Sequence, residues 1–163
     1  MAVKLGHASI SENGTIRGKA GDQTGKEVCT RNWYKHSKGW KVVRCTDPTM
    51  REYIAEAMEK AAKNDLIGYD QIENSTLWEQ IDDKGFDPSK VTEATETDCA
   101  RLVRVCVQYA CEKVGKNITI PDFYTATLAS KLKSTGLFTV LTASKYTTQD
   151  DYLVRGDILV TQT

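Results

Sequence analysis

A chain of 163 residues, of which 40% are hydrophobic and 27% charged, is long enough to form one compact domain with a buried core. Its 22 basic and 22 acidic residues balance, which argues against a nucleic-acid-binding patch or a cationic membrane-surface helix. No apolar stretch approaches the roughly 20 residues of a membrane span, and the N-terminus lacks the apolar run of a secretory signal. We therefore expect folding in a reducing cytoplasm without disulfides.

The first fifty residues predict an irregular or β region with one or two short strands. Glycines punctuate it, and an apolar alternation follows at Trp40–Arg44. Asp47 and Pro48 are then typical of a helix N-cap with proline at the first helical position. Apolar residues three and four apart predict a helix from there to about Asn64, where it should end.

The middle of the chain predicts less regular structure. Ile67–Gln71 is expected to be a turn into a short helix near Ser75–Ile81, whose Trp78 should belong to the core. Lys84–Glu96 contains glycine, proline and several polar residues, and is expected to be a surface connection that leads to Cys99.

Cys99 lies at the predicted start of a buried helix. The small and apolar residues that share one face of this helix are Leu102, Val103, Cys106, Val107, Ala110, Cys111 and Val114. Thr97 or Asp98 can serve as the N-cap. Backbone N–H groups and the helix dipole in the first turn favour a thiolate, which is the nucleophilic form of cysteine. The sequence therefore indicates a reactive Cys99.

The other four cysteines predict structural roles. No Cys-x-x-Cys pair and no histidine at zinc-ligand spacing occurs, so we expect neither a metal site nor a cofactor. Cys106 and Cys111 share the apolar helical face and should be small buried residues. Cys29 and Cys45 flank an aromatic-rich segment and are also expected to be structural.

The C-terminal part predicts a helix followed by two strands. The helix is expected over about 122–134 with Gly136 as its stop, and the strands over 137–141 and 157–161. The sequence stops at Thr163, directly after the second strand. We therefore expect one domain, residues 1–163, that is incomplete at its C-terminal end.

Three features of the sequence, Thr97–Val103, Gly156–Val160 and Tyr69, resemble features of NlpC-type cell-wall cysteine peptidases. Thr97–Val103 is similar to the Asp-Cys-Ser-x-Leu-Val segment around their nucleophile. Gly156–Val160 is similar to the Gly-Asp-Leu strand that precedes their histidine strand. Tyr69 resembles the tyrosine that these enzymes place beside the thiol. Together with the N-terminal segments described next, the resemblance covers nearly the whole chain in the expected order.

Segments in the N-terminal third of the sequence resemble one branch of this superfamily in particular. Ala8–Gly14, Ala20–Val28 and Trp33–Tyr34 resemble peptidoglycan-degrading endolysins of phages and prophages of Gram-positive bacteria. The resemblance implies an α+β, papain-like (NlpC-type) fold in which the helix bearing Cys99 packs on an antiparallel sheet that lacks its C-terminal strand or strands. It also implies a cysteine amidase or endopeptidase that cuts the peptide part of bacterial peptidoglycan. Such an enzyme stays in the host cytoplasm until lysis and then acts on the cell wall.

Two departures from the family pattern affect the expected activity. Ala100 stands where the family usually has serine. No histidine follows Cys99, whereas the family carries one on the strand after Gly-Asp-Leu, so this form is expected to have little activity. His7 is a fallback base, because circularly permuted relatives place histidine before cysteine. His36 is a weaker candidate that should lie at the surface or stack on an aromatic ring.

Several other side chains have a catalytic and a structural interpretation. Gln23 could supply the oxyanion hole or organise its glycine-rich loop, and Tyr69 could bond the substrate or belong to the core. Asp98 is expected to act only as an N-cap, and Glu27 as a surface charge. An unpaired sheet edge would favour self-association.

Two other functions remain open. The chain could be a non-catalytic cell-wall-binding or interaction module on the same scaffold, with an inert Cys99. It could also be an intracellular cysteine hydrolase unrelated to cell walls. If the chain is a peptidoglycan hydrolase, its target bond is the N-acetylmuramoyl–alanine amide, a bond within the stem peptide, or a cross-bridge.

Overall fold

Three strands precede the first helix in the computed structural model, which describes residues 3–9, 16–21 and 27–162, and short strands and helices are mixed along the rest of the chain. The strands are β1 (Lys4–Ala8), β2 (Val28–Asn32), β3 (Trp40–Cys45), β4 (Ile67–Tyr69), β5 (Thr95–Thr97), β6 (Phe138–Leu141) and β7 (Ile158–Thr161). The helices are α1 (Pro48–Lys63), α2 (Thr76–Ile81), α3 (Cys99–Val114), α4 (Leu128–Ser134) and α5 (Ser144–Thr147), with a 3-10 turn at Pro88–Lys90. The class is α+β, as expected. The candidate residue Gln23 lies outside the described residues.

The described strands form three small sheets. β1 and β2 are an antiparallel pair, and β6, β3 and β7 form an antiparallel sheet with β3 in the centre. β4 and β5 pair in parallel, and all of their residues are buried. The expectations of a turn at Ile67–Gln71 and of a surface connection at Lys84–Glu96 were therefore wrong where these strands form.

The two long helices build the core. The side chain of Asp47 caps α1 by accepting the Thr49 N–H at 2.8 Å, as the sequence predicted, and Asn64 ends the helix. α3 packs mainly against α1, not against the three-stranded sheet, which corrects the packing implied by the resemblance. The reason is that α1 presents an apolar face with small residues, on which the extensively buried α3 lies closely. This face consists of Met50, Ile54, Ala57 and Ala61.

The helix predicted over 122–134 begins only at Leu128. Before it, the Tyr124 N–H donates to Thr127 Oγ1 at 3.2 Å, and the Thr127 N–H donates to the Tyr124 carbonyl at 3.0 Å. Such local bonds compete with helix formation. Residues 121–127 instead form an irregular segment whose Thr125 lies beside Cys99.

The Gly-Asp pair before β7 joins the three-stranded sheet to α1. Gly156 has φ 91°, and a Cβ there would overlap the carbonyl of Arg51 on α1. Asp157 accepts two hydrogen bonds from the Arg44 guanidinium on β3, each at 2.8 Å. The motif thus has a structural role in this fold.

Within the described ranges, no helix is long and apolar enough to cross a bilayer.

Candidate active site around Cys99

Cys99 is the first residue of α3 and is the only one of the five cysteines whose side chain is exposed. Cys29 is half-buried, and the other three are buried. Burial raises the pKa of Cys106 to about 12 and that of Cys111 to about 11. Cys99 is therefore the most accessible of the five thiols.

Asp98 holds the first turn of α3 in place. Its Oδ1 accepts the Arg101 N–H at 2.8 Å, and its Oδ2 accepts from Arg101 Nη1 and from Asn74 Nδ2, both at 3.0 Å. Arg101 also pairs with Asp122 at 3.3 Å. Both oxygens of this buried carboxylate are thus engaged, and Asp98 serves as the N-cap that the sequence predicted.

The pairing of β4 with β5 brings Tyr69 into the same cleft as Cys99. Tyr69 is in register with Thr97, two residues before the cysteine. Its side chain is buried, and burial together with the negative charges of Cys99 and Asp98 raises its pKa to about 12. The hydroxyl therefore keeps its proton at neutral pH and is able to donate a hydrogen bond in the cleft.

The N-terminal segment packs against the backbone of Tyr69. Glu27, expected to be a surface charge, is instead buried, and its Oε2 accepts the Tyr69 N–H at 3.1 Å. This correction follows from tertiary packing, because Glu27 lies against the backbone of β4. The segment 16–21 crosses the same strand. A Cβ on Gly18 would overlap the Tyr69 carbonyl oxygen. Only glycine permits this close approach.

An open cleft of about 510 Å³ surrounds the thiol. Its walls are the start of α3, the end of β4 with Tyr69, the segment Tyr124–Ala126, Lys38 from the β2–β3 loop, and Thr161 at the end of β7. The Thr125 Oγ1 lies 3.7 Å from the Cys99 Sγ. Sequence reasoning missed Thr125, because it assigned this residue to a helix, and it also missed Lys38.

Neither histidine lines this cleft. His7 lies on β1, where its Nε2 is 3.5 Å from the Sγ of Cys29. Burial and Arg31 lower the pKa of His7, and burial raises the pKa of Cys29. These directions favour a neutral imidazole beside a neutral thiol. The structure therefore places the fallback base next to a different cysteine.

His36 is held in an aromatic cluster. Its ring centroid is 5.0 Å from that of Trp40 and 6.1 Å from that of Tyr34. Its Nδ1 accepts the Lys38 N–H at 3.0 Å. This stacking agrees with one of the two positions expected for His36.

In the described part of the chain, no group of three or more His, Cys, Asp or Glu side chains is arranged to hold a metal ion.

We expect that replacing Tyr69 with phenylalanine removes the tyrosinate signal that appears near pH 12, not near the ordinary value of 10.0. Because the folded-state pKa lies above the unfolded value, the neutral hydroxyl stabilises the fold below pH 10. That contribution is lost as the pH rises toward 12. Ultraviolet difference titration of the folded protein measures the signal.

The Cys99→Ala variant is the control for this titration. Removing the negative charge of Cys99 should move the Tyr69 signal to lower pH, since that charge contributes to the shift. If the signal lost in Tyr69→Phe titrated near pH 10 in an otherwise folded protein, the position of Tyr69 beside the thiol would be contradicted.

The family comparison adds an independent result. A family model described as an endolysin-like domain matches residues 5–163. No curated protein and no solved structure gives a significant match to the chain. The name of the family indicates a phage function related to the cell wall. Because the match spans nearly all of the sequence, the chain belongs to the endolysin-like domain family.

Proposed function

We propose that this domain is a peptidoglycan hydrolase, a cysteine amidase or endopeptidase of the endolysin type that cuts the peptide part of Gram-positive cell walls. The observation that carries the proposal is the exposed Cys99 at the N-terminus of a 16-residue helix, facing a cleft that it shares with Tyr69. Membership of the endolysin-like family supports the same assignment. The NlpC-type resemblance of Thr97–Val103 favours cysteine chemistry over other wall-cleaving mechanisms.

The proposed reaction is acyl transfer through a thioester. The Cys99 sulfur attacks the amide carbonyl, the carbon–nitrogen bond breaks, and the amine leaves with a proton. Water then cleaves the thioester, giving a carboxylate and the free thiol. The backbone N–H groups of Cys99 and Ala100 precede the Arg101 N–H that Asp98 caps and have no intrahelical acceptor, so together with the Tyr69 hydroxyl they are suited to stabilise the oxyanion.

Such a reaction also needs a group that accepts the thiol proton. The Thr125 hydroxyl contacts the Cys99 sulfur, but a hydroxyl is a weak base. In the described sheet, β7 has an open edge, and its Thr161 lines the cleft. The NlpC resemblance implies a histidine on a strand paired with that edge, and such a strand would lie next to Thr161.

A non-catalytic cell-wall-binding module is the second candidate. The observation that favours it is that neither histidine of the chain lines the Cys99 cleft. In that case Cys99 would be inert, and the cleft would bind peptidoglycan without cutting it.

Incubation with purified Gram-positive peptidoglycan tests the proposal, in the absence and in the presence of added imidazole as a soluble base. We expect new amino groups without new reducing sugar ends, with imidazole increasing their rate of release. Pull-down with the insoluble wall, measured in parallel, reports binding. Binding without any new amino groups would favour the second candidate, and neither binding nor release would contradict both.

Two further proposals concern where the domain acts and how it associates. An endolysin of this type would remain in the host cytoplasm until lysis and would then reach the wall. The open edge of β7 is suited to pairing with a strand of another copy. Sedimentation analysis over a range of protein concentrations would detect such pairing.

A further inference from the structure

We propose that Lys38 binds a carboxylate of the substrate next to the scissile amide, so that the domain prefers acidic peptides over neutral ones. The inference rests on the proposed function for its catalytic consequence. Its structural basis is that Lys38 lines the same cleft as the thiol of Cys99. An ammonium at this place would attract an anionic group of a peptide whose carbonyl approaches Cys99.

The charges in the cleft leave Lys38 available for such a group. The other two charged side chains of the lining are Asp98 and Arg101, which pair with each other at 3.0 Å. Arg101 makes a second ion pair with Asp122. Among the described residues, no carboxylate forms an ion pair with Lys38, whose side chain is exposed. A substrate carboxylate would therefore be able to pair with Lys38 without breaking an existing ion pair.

The loop that carries Lys38 is fixed by local bonds. The Lys38 N–H donates to His36 Nδ1, and the Gly39 N–H donates to the His36 carbonyl at 2.9 Å. Gly39 has φ 75°, which glycine adopts without strain. The Trp40 indole N–H donates to the Tyr34 carbonyl at 2.7 Å. Lys38 is thus presented from a defined turn, which lowers the entropy lost on binding.

Lys35 provides a matched comparison within the same loop. It is an exposed lysine three residues earlier, and it does not line the cleft. Both lysines contribute one positive charge to the same part of the surface. A difference between the Lys35→Gln and Lys38→Gln variants therefore reports position in the cleft and not net charge.

Alkylation of Cys99 by two reagents of the same shape tests the inference without requiring hydrolysis. Iodoacetate carries a carboxylate where iodoacetamide carries a neutral amide, and in both the cysteine sulfur displaces iodide. We expect Lys38→Gln to lower the ratio of iodoacetate to iodoacetamide rate constants at Cys99 about two- to threefold, the size expected for an exposed charge pair. Mass spectrometry of the Cys99 peptide gives both rates.

The control variants are expected to keep the ratio that Lys38→Gln lowers. Lys35→Gln should leave the ratio unchanged, Lys38→Arg should largely retain it, and added salt should lower it in the wild type more than in Lys38→Gln. An equal ratio in Lys38→Gln and the wild type would overturn the inference. So would an equal decrease in Lys35→Gln, because the effect would then come from net charge.

Peptidoglycan with its carboxyl groups converted to amides connects the inference to cleavage. Lys38→Gln should slow release of amino groups from the unmodified wall, mainly through KM, and should leave the rate on the amidated wall nearly unchanged. Equal slowing on both walls would overturn the assignment of Lys38 to carboxylate binding. If the wild type cuts neither wall, the proposed function fails, while the alkylation ratio still decides whether Lys38 attracts carboxylates.

Discussion

Replacement of Cys99 with alanine is expected to abolish the amino-group release from peptidoglycan that added imidazole promotes, down to the level of a protein-free sample. The expected drop is set by that imidazole-dependent rate, because a nucleophile and its base act as a unit and no histidine lines the cleft. The physical reason is that the thioester cannot form without the sulfur, and Thr125 and Tyr69 offer only weakly nucleophilic hydroxyls. The rates of the two proteins are compared at equal concentration, with imidazole present in both.

The same substitution should leave the fold intact. The Cys99 side chain is exposed, so alanine creates no cavity, and we expect the free energy of unfolding to change by less than about 0.5 kcal/mol. Urea denaturation measures this change. Retained hydrolysis in a folded Cys99→Ala variant would remove Cys99 as the nucleophile.

Cys29→Ala is the control for specificity of the thiol. Cys29 contacts a histidine, as the nucleophile of a cysteine peptidase does, but burial raises its pKa and the pKa of His7 is lowered. We therefore expect Cys29→Ala to retain hydrolysis. Loss of activity in this variant, with Cys99→Ala active, would move the catalytic site to the β1–β2 pair.

Local signals in the sequence predicted the two long helices well. Asp47 with Pro48 and Asp98 with Cys99 are caps whose chemistry acts within one turn, and α1 and α3 begin where these residues indicate. The strands at the C-terminal end also begin within one residue of the predicted positions. Each of these elements is long enough, or flanked clearly enough, for local rules to apply.

Elements that depend on tertiary contacts were not predictable in this way. β4 and β5 have three residues each, too few for a period-two pattern, and they exist because they pair with each other across the chain. Glu27 was assigned to the surface, since nothing near it in the sequence indicates that it is buried against the backbone of β4. Long-range packing overrides local polarity at such positions.

The residues of the candidate site also form two groups, those that local motifs identified and those that only tertiary contacts bring to the cleft. Cys99 and Tyr69 were identified by motifs, and the structure brings both to one cleft. Thr125 and Lys38 complete that cleft from two connections, one before α4 and one between β2 and β3. No spacing in the sequence relates these connections to Cys99, because only the folded chain brings them together.

Asp157 is expected to be the most sensitive stabilising residue outside the helical core. Its side chain is almost completely buried, and it accepts hydrogen bonds from the Nε and Nη2 atoms of Arg44, both at 2.8 Å, and from the Val154 N–H at 2.9 Å. These bonds raise the pKa of Arg44 and connect the turn before β7 to the central strand β3. Removing the carboxylate would leave a partly buried guanidinium without its acid partner.

Asp157→Ala should therefore destabilise the protein by about 2–4 kcal/mol, the usual cost of leaving one member of such a pair unsatisfied. Urea denaturation of the variant and of Asp151→Ala, an exposed aspartate of the same turn region, measures the difference, and the control should change by less than about 0.5 kcal/mol. In the double variant with Arg44→Met, the loss should be smaller than the sum of the single losses, because the charge left unpaired is also removed. Additive losses would show that the Gly-Asp motif does not act through this ion pair.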